Sequence, residues 1–265
     1  MPNNTSQWLL GLSLVAYPIF CLLLVFWLII HTPADFTSVD DDELSSTTLL
    51  PDFASIDQTP ERKAQFLAML TPLVEAKNAV VLKSRERLLN IKAEWDSTGA
   101  VSGVNERNLE KLRSKYKVSH ETYPETDRAI EILLLRVDMI PPAMVLAQAA
   151  IESGWGTSRF AEEAHNLFGQ WCYEPGCGLV PARRVAGAKH EVKKFNSVEE
   201  SLTAYFNNIN THGAYRPWRQ LRAQLRQDAE QFTGQAMVAE LHKYSQRGQV
   251  YVDELRRVIR LNNLE

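Results

Sequence analysis

No lysine or arginine occurs before Arg62, and within that stretch residues 8–30 also lack aspartate, glutamate and histidine. The missing basic flank leaves the positive-inside rule with nothing to act on, and it removes the charged leader that a cleavable secretory signal carries. Cysteine is sparse too. Only three occur in 265 residues, with no second ligand pair at the spacing of a structural zinc site. There is no glycine-rich phosphate loop and no nucleophile elbow, so nucleotide and serine-hydrolase chemistry have no support. His190-Glu191 begins like a zinc-protease motif, but Lys194 stands where the second histidine would be. A formal net charge of -3 gives no global reason to bind nucleic acid. The local basic stretch 216–226 reads as a solvated helix face.

What is present starts with the uncharged run. At about 1.5 Å rise per residue, residues 8–30 are long enough for roughly 30 Å of hydrocarbon, and a spanning helix tolerates Pro18. A signal peptide is the alternative. The run exceeds the roughly 7–15 residues of a signal core and no Ala-x-Ala-like site follows Ile30, which favours an uncleaved anchor over residues 1–31. The short amino-terminal tail and the acidic Asp40-Asp41-Asp42-Glu43 favour an exported carboxyl-terminal domain. Cys172 and Cys177, five apart across a Gly/Pro segment, read as a disulfide in an oxidising compartment or as two free thiols in a reducing one.

Residues 32–60, rich in Asp, Ser, Thr and Pro, read as a flexible spacer. Over 61–125 the pattern turns helical. Phe66, Leu70, Leu73, Val74, Val80, Val81, Leu88 and Ile91 recur at helical spacing, with a break or start expected near Pro72. A loop at 99–103 precedes a second helix, expected to be capped by Asn105 and to run to Tyr116. From 126 to 265 a catalytic domain is expected, opening with a helix over 127–138. Pro141 and Pro142 then mark the start of another.

That next helix, 142–153, is small or apolar at nearly every position, so it should be buried on most sides. Glu152 ends it. Desolvation and the negative end of the helix dipole both disfavour its charged form and push its pKa upward. A carboxylic acid kept protonated near neutral pH is what glycosidic cleavage needs, because the leaving oxygen must receive a proton. Gly154 and Gly156 let the chain turn away at once, and Trp155 offers a flat wall for a sugar ring.

Ala-Gln-Ala-Ala-Ile-Glu-Ser-Gly-Trp-Gly over 147–156, followed by Asn-Leu-Phe-Gly over 166–169, resembles the glucosaminidase-type peptidoglycan hydrolases, glycoside hydrolase family 73. The resemblance covers about residues 130–264. It implies a mainly α, lysozyme-like domain with a small β-hairpin lobe, and Glu152 as catalytic acid. Residues 185–195 combine a Gly-centred turn with partial alternation and read as the two hairpin strands. Glu191 on the second resembles the family's second carboxylate, either base toward water or stabiliser of the transition state. A carboxylate separation of about 5 Å would mean retention and roughly 6.5–9.5 Å inversion, with substrate-assisted attack a third route.

Ser197 is expected to cap a helix over 198–210 with Glu200 at the capping-box position, its inner side lined by Leu202, Tyr205, Phe206 and Ile209. The segment 241–255 resembles the family's closing motif, in which Tyr244 matches a tyrosine bordering the active site. Trp155, Asn166, Phe168, Trp171 and Tyr205 are the candidate substrate-binding residues: Trp155, Trp171, Tyr205 and Tyr244 as sugar platforms, with core the alternative for Tyr205, Asn166 fixing its loop or reaching a sugar hydroxyl, and Phe168 packing beneath the cleft. The implied activity is hydrolysis of β-1,4 bonds in peptidoglycan strands on the reducing side of N-acetylglucosamine. No metal or organic cofactor and no nucleic acid is implied. The implied place is the bacterial inner membrane, single-pass through residues 8–30, with the domain in the periplasm. The alternatives are a muramidase or lytic transglycosylase, and a non-catalytic glycan-binding protein.

Overall fold

Buried positions recur every three or four residues from Phe66 to Ile91, and they wind into one 40-residue helix, α1 (Thr59–Thr98). The computed structural model describes residues 48–265 except 183, 185, 186, 229–231 and 243, so the apolar run 8–30 lies outside the described residues. Among the described residues no helix is long and apolar enough to cross a membrane. The expected break at Pro72 does not occur. Pro72 and Ala68, whose carbonyl loses its N–H partner, are both exposed, so the freed group is left to water while Leu70 and Val74 stay locked in the core. Gly99 ends α1 in the left-handed conformation, its N–H on the Trp95 carbonyl at 2.8 Å.

Helix α2 (Gly103–Lys115) starts after Ser102 rather than at Asn105. Asn105 lies inside the first turn, where its amide donates to Glu94 at 2.8 Å. Helices α3 (Thr126–Arg136), α4 (Pro142–Ser153) and α5 (Arg159–Ala164) follow. Next come three short strands, β1 (Trp171–Cys172), β2 (Gly178–Leu179) and β3 (Glu191–Lys193). The chain closes with α6 (Val198–Thr211), α7 (Arg216–Gln227), α8 (Gly234–Met237) and α9 (Gln249–Leu261). The fold is mainly α with a small three-stranded antiparallel sheet in the order β1-β3-β2.

The lobe differs from the expected hairpin over 185–195. Its second strand is there as β3, but both edges of β3 are taken by β1 and β2, so no edge is left for a partner from the preceding turn. Gly178 is required there, since a Cβ would lie 1.9 Å from the Val192 carbonyl oxygen. Cys172 and Cys177 form a disulfide that joins the ends of the two outer strands.

Two apolar clusters organise the helices, and α1 contributes to both. Phe66, Leu70, Val74 and Val81 pack with α4, α6 and α9, while Leu88 and Ile91 pack with α2 and α3. The stretch expected to be a spacer enters the fold at its end. Phe53 is buried against Phe66, and Thr48 bonds Glu199 and accepts the Val198 N–H at 3.0 Å. The reason is a socket: Gly156 leaves so little room that a Cβ would come within 2.5 Å of the Phe53 ring.

The basic stretch of α7 is solvated only in part: Arg216 and Arg226 are exposed, whereas Arg219 and Arg222 are buried. Arg222, 1 % exposed, donates to the carbonyls of Leu135, Asp138 and Met139 and to the Asn210 side chain. Arg226 makes a two-pronged contact with the buried Asp138 carboxylate at 2.8 and 2.7 Å, and Arg85 of α1 approaches it at 3.4 Å. Asn78 of α1 adds a reciprocal pair with the Ile140 backbone. The segment between α3 and α4 offers carbonyls that no helix satisfies, and buried polar groups must find partners. Guanidinium groups supply them. Burial pulls Arg222 down to about 9, partly offset by Asp138, so it stays charged at neutral pH.

Arg222→Ala removes four bonds from buried acceptors, and we expect a loss of about 3–5 kcal/mol of stability. Chemical denaturation monitored by tryptophan fluorescence and by circular dichroism checks it. A change below about 1 kcal/mol would mean the segment is held by packing alone.

Candidate active site

Helix α4 is packed by α1, α8 and α9, and its residues from Ala143 to Ala150 are all buried. Gln148 is the polar exception in this run, and burying it demands partners. Tyr205 Oη donates to Gln148 Oε1 at 2.5 Å, and Gln148 Nε2 donates to Tyr251 Oη at 3.0 Å. That leaves the Tyr251 proton for Glu152, which accepts it. Residues 148 and 152 are four apart on one helix face, so the amide and the carboxyl address the same tyrosine.

Glu152 is half-buried at the last turn of α4. Burial raises its pKa above the ordinary carboxylate value, the Tyr251 bond opposes that, Glu254 adds to it, and Arg247 opposes it weakly. Arg247 and Glu254 pair with each other at 2.7 Å. The helix terminus raises the pKa further, because its carbonyls present negative partial charge. The chain then reverses sharply. Gly154, Trp155 and Gly156 all have positive φ, of 59°, 60° and 81°, and for Trp155 this is a strained conformation of the kind that clusters at functional sites. Opposite the carboxyl lies Gly169, φ +64°, where a Cβ would sit 3.4 Å from Glu152 Oε2. A bare backbone there keeps the acid uncovered.

Tyrosines surround this carboxyl. Tyr205, Tyr215, Tyr244 and Tyr251 all have pKa values raised by burial, and the Glu152 charge adds to the shift in each; Tyr215 reaches about 12. The rings of Tyr244 and Tyr251 stack at 5.6 Å. Tyr244, the tyrosine matched to the family's closing motif, has its hydroxyl committed to the Phe168 carbonyl at 2.8 Å. Tyr251 is the tyrosine whose hydroxyl lowers the Glu152 pKa.

The other candidates fall into two groups. Asn166 spends both amide protons on the Gln170 and Lys193 carbonyls and accepts the Gln170 N–H, so it fastens the Asn-Leu-Phe-Gly turn to β3 and has no donor left for a sugar. Phe168 and Tyr205 stack on each other at 4.1 Å and are buried, which makes them support beneath the site and denies them a platform role. Trp155 packs edge-on against Phe66 with the Lys63 ammonium over its ring. Trp171 alone of the expected platforms is open, 54 % exposed and stacked on His190.

Glu191 is 7 % exposed on β3 and accepts the Gly176 and Gly178 N–H groups at 3.1 and 2.9 Å. Those two bonds hold its pKa below the ordinary value, with Arg184 adding slightly. A carboxylate bonded this way stays ionised and braces the disulfide loop.

Glu152, with its raised pKa at the end of a buried helix and a glycine turn facing it, is the candidate acid of the site. The family described as mannosyl-glycoprotein endo-beta-N-acetylglucosaminidase matches residues 129–264, and the chain belongs to this glucosaminidase family. It is a glycoside hydrolase of the peptidoglycan type. Among curated proteins it is similar to Protein bax of Escherichia coli (strain K12), at 36 % identity over 209 residues, covering 78 % of this chain and 72 % of that one. No solved structure matches.

Glu152 carries a stability cost with a definite pH signature. Its folded-state pKa is raised, so its favourable contribution is complete below the unfolded value near 4.5 and is lost as pH rises through the folded value. Glu152→Gln should therefore melt at a higher temperature than the unsubstituted protein at pH 7, with the gain vanishing at pH 4. Equal melting temperatures at both pH values would show that the site does not disfavour the charge. Gly169→Ala should lower the hydrolytic rate while leaving the melting temperature within a few degrees, because its methyl crowds the acid at an exposed turn. An unchanged rate would show that nothing needs to approach from that side.

Proposed function

We propose that this protein is an endo-β-N-acetylglucosaminidase that cleaves the β-1,4 bond on the reducing side of N-acetylglucosamine in peptidoglycan, with Glu152 as general acid. The observation that carries the reading is the state of Glu152: half-buried, raised in pKa by desolvation, and oriented by Tyr251. A general acid must hold a proton at the working pH and release it to the leaving oxygen as the bond breaks. Burial favours the first property, because it raises the pKa. Donation from Tyr251 stabilises the carboxylate left after transfer, which supplies the second.

Glu191 is the second carboxylate in this reading. Two environments push the two pKa values in opposite directions, which is the pattern expected of an acid and its ionised partner. Trp171, open beside His190, is the sugar platform of the lobe.

The enzyme acts outside the cytoplasm, anchored in the bacterial inner membrane by residues 8–30. The Cys172–Cys177 disulfide supports this placement, since such bonds persist in oxidising compartments. The anchor, residues 1–31, delivers a body that begins near Leu44 rather than at residue 61, because Thr48 and Phe53 pack on the domain.

The test is digestion of purified peptidoglycan by residues 44–265 and by its Glu152→Gln and Glu191→Gln variants, with mass spectrometry of reducing ends. We expect N-acetylglucosamine ends, a loss of roughly 10²–10⁴ in rate for Glu152→Gln, and a smaller loss for Glu191→Gln. N-acetylmuramic acid ends would make the protein a muramidase, and anhydro ends a lytic transglycosylase. Bound glycan without products would make it a binding protein. Full activity in Glu191→Gln would reduce that residue to its bracing of the disulfide loop.

A further inference from the structure

A cavity of about 190 Å³ opens between α3, α7 and the turn before α3, away from the residues that bond Glu152. Four arginines line it: Arg128 and Arg136 of α3, and Arg216 and Arg219 of α7. Tyr123, Ile132 and Leu135 complete the wall. Four like charges in one cavity repel, and Arg136 and Arg216 each act unfavourably on Arg219. Of the four, only Arg128 has an ion-pair partner among the described residues, the exposed Glu131.

Two of these arginines keep donors that no protein acceptor among the described residues takes up. Arg219 is 4 % exposed, and its Nη1 donates to the Ile209 and His212 carbonyls at 2.8 and 2.9 Å. Its Nε and Nη2 bond no acceptor among the described residues. Arg136 repeats the arrangement, with Nη1 on the Tyr116 and Lys117 carbonyls at 2.7 and 2.8 Å and its other nitrogens unspent. Carbonyl bonds fix each guanidinium plane in place, and a fixed fork is the geometry that binds an oxyanion with two parallel bonds. Leaving a buried charge without a counter-charge is costly, so the arrangement is set for a ligand that brings one.

Size and place narrow the ligand. The volume is smaller than that of sites for drug-sized molecules, which begin at about 300 Å³, so it takes an anionic group with a few carbons on the apolar wall. It also shares a turn with the active site. Arg216 directly follows Tyr215, whose ring lies 6.0 Å from that of Tyr244 and whose hydroxyl senses the Glu152 charge. The carbonyl that Arg219 holds belongs to His212, at the start of the same turn.

We infer that this cavity is an oxyanion subsite for a carboxylate of the peptide stems carried by the cell-wall glycan, anchoring the substrate while its sugar bond lies at Glu152. The inference rests on the peptidoglycan reading above. It gives the enzyme a preference for glycan that still bears acidic peptide.

The test uses the full chain in detergent, with exposed Arg216→Glu and Arg128→Glu as variants that leave the carbonyl clasps of Arg219 and Arg136 intact. The probes in isothermal titration are a stem peptide with free carboxylates, the same peptide with its carboxylates amidated, and inorganic phosphate. We expect the free-acid peptide to bind at least about 10-fold more tightly than the amidated one, and each charge reversal to abolish that difference. Both variants should digest peptide-free glycan strands at the unsubstituted rate. Equal binding of both peptides, no peptide binding at millimolar concentration, or an unchanged preference in Arg216→Glu would overturn the inference. So would tighter binding of inorganic phosphate than of the peptide, which would assign the cavity to phosphate. Failure of the unsubstituted protein to cut any glycan, with the peptide preference intact, would sink the activity and leave the subsite standing.

Discussion

The molecule depends on burying one helix on every side while leaving its last carboxyl within reach of solvent. Helix α4 is wrapped by α1, α8 and α9, and Gln148 inside it is tied to α6 and α9 through Tyr205 and Tyr251. Wrapping desolvates Glu152 and raises its pKa. The same wrapping fixes where the carboxyl points, because its hydrogen-bond donor belongs to α9. Acidity and position therefore come from one packing arrangement, and a change that loosens the wrapping should disturb both.

Both ends of α4 need their own devices. At its start, the segment between α3 and α4 is held by Arg85, Arg222, Arg226 and Asn78, which satisfy backbone carbonyls and one buried carboxylate. At its end, three consecutive positive-φ residues turn the chain out of the core, and Phe53 from before α1 fills the space that Gly156 leaves. Strain at Trp155 is balanced by packing against Phe66. The asymmetry has a physical reason: a buried start can be fully satisfied by fixed donors, whereas the functional end must stay open on the Gly169 side.

Much of this was legible in the residues, and the misses have physical causes. The helical period of 61–95, the buried character of 142–153, the capping Ser197 and the perturbed acid all follow from spacing and composition, and the structure has them. Pro72 misled because a proline breaks a helix only where the freed carbonyl cannot reach water. The arginines of α7 misled because charge in sequence does not say whether a backbone carbonyl waits nearby. Asn166, Phe168 and Tyr205 were candidates for either sugar contact or structure, and each has its polar or aromatic surface spent within the protein. Tyr251 and Gln148 were missed, although Gln148 carried a signal: a lone amide in an apolar helix, one turn before the acid and on its face. The pairing of β3 with two distant strands depends on long-range contacts that local alternation does not encode.

The measurement that bears most directly on this account is the titration of the Glu152 side-chain carboxyl, followed by carbon NMR in the unsubstituted protein and in Tyr251→Phe. A midpoint above the ordinary carboxylate value of 4.5, moving higher when the Tyr251 hydroxyl is removed, is the predicted result. A midpoint at or below 4.5, or one that does not move in Tyr251→Phe, would contradict the claim that burial raises the pKa of this acid and Tyr251 opposes the shift.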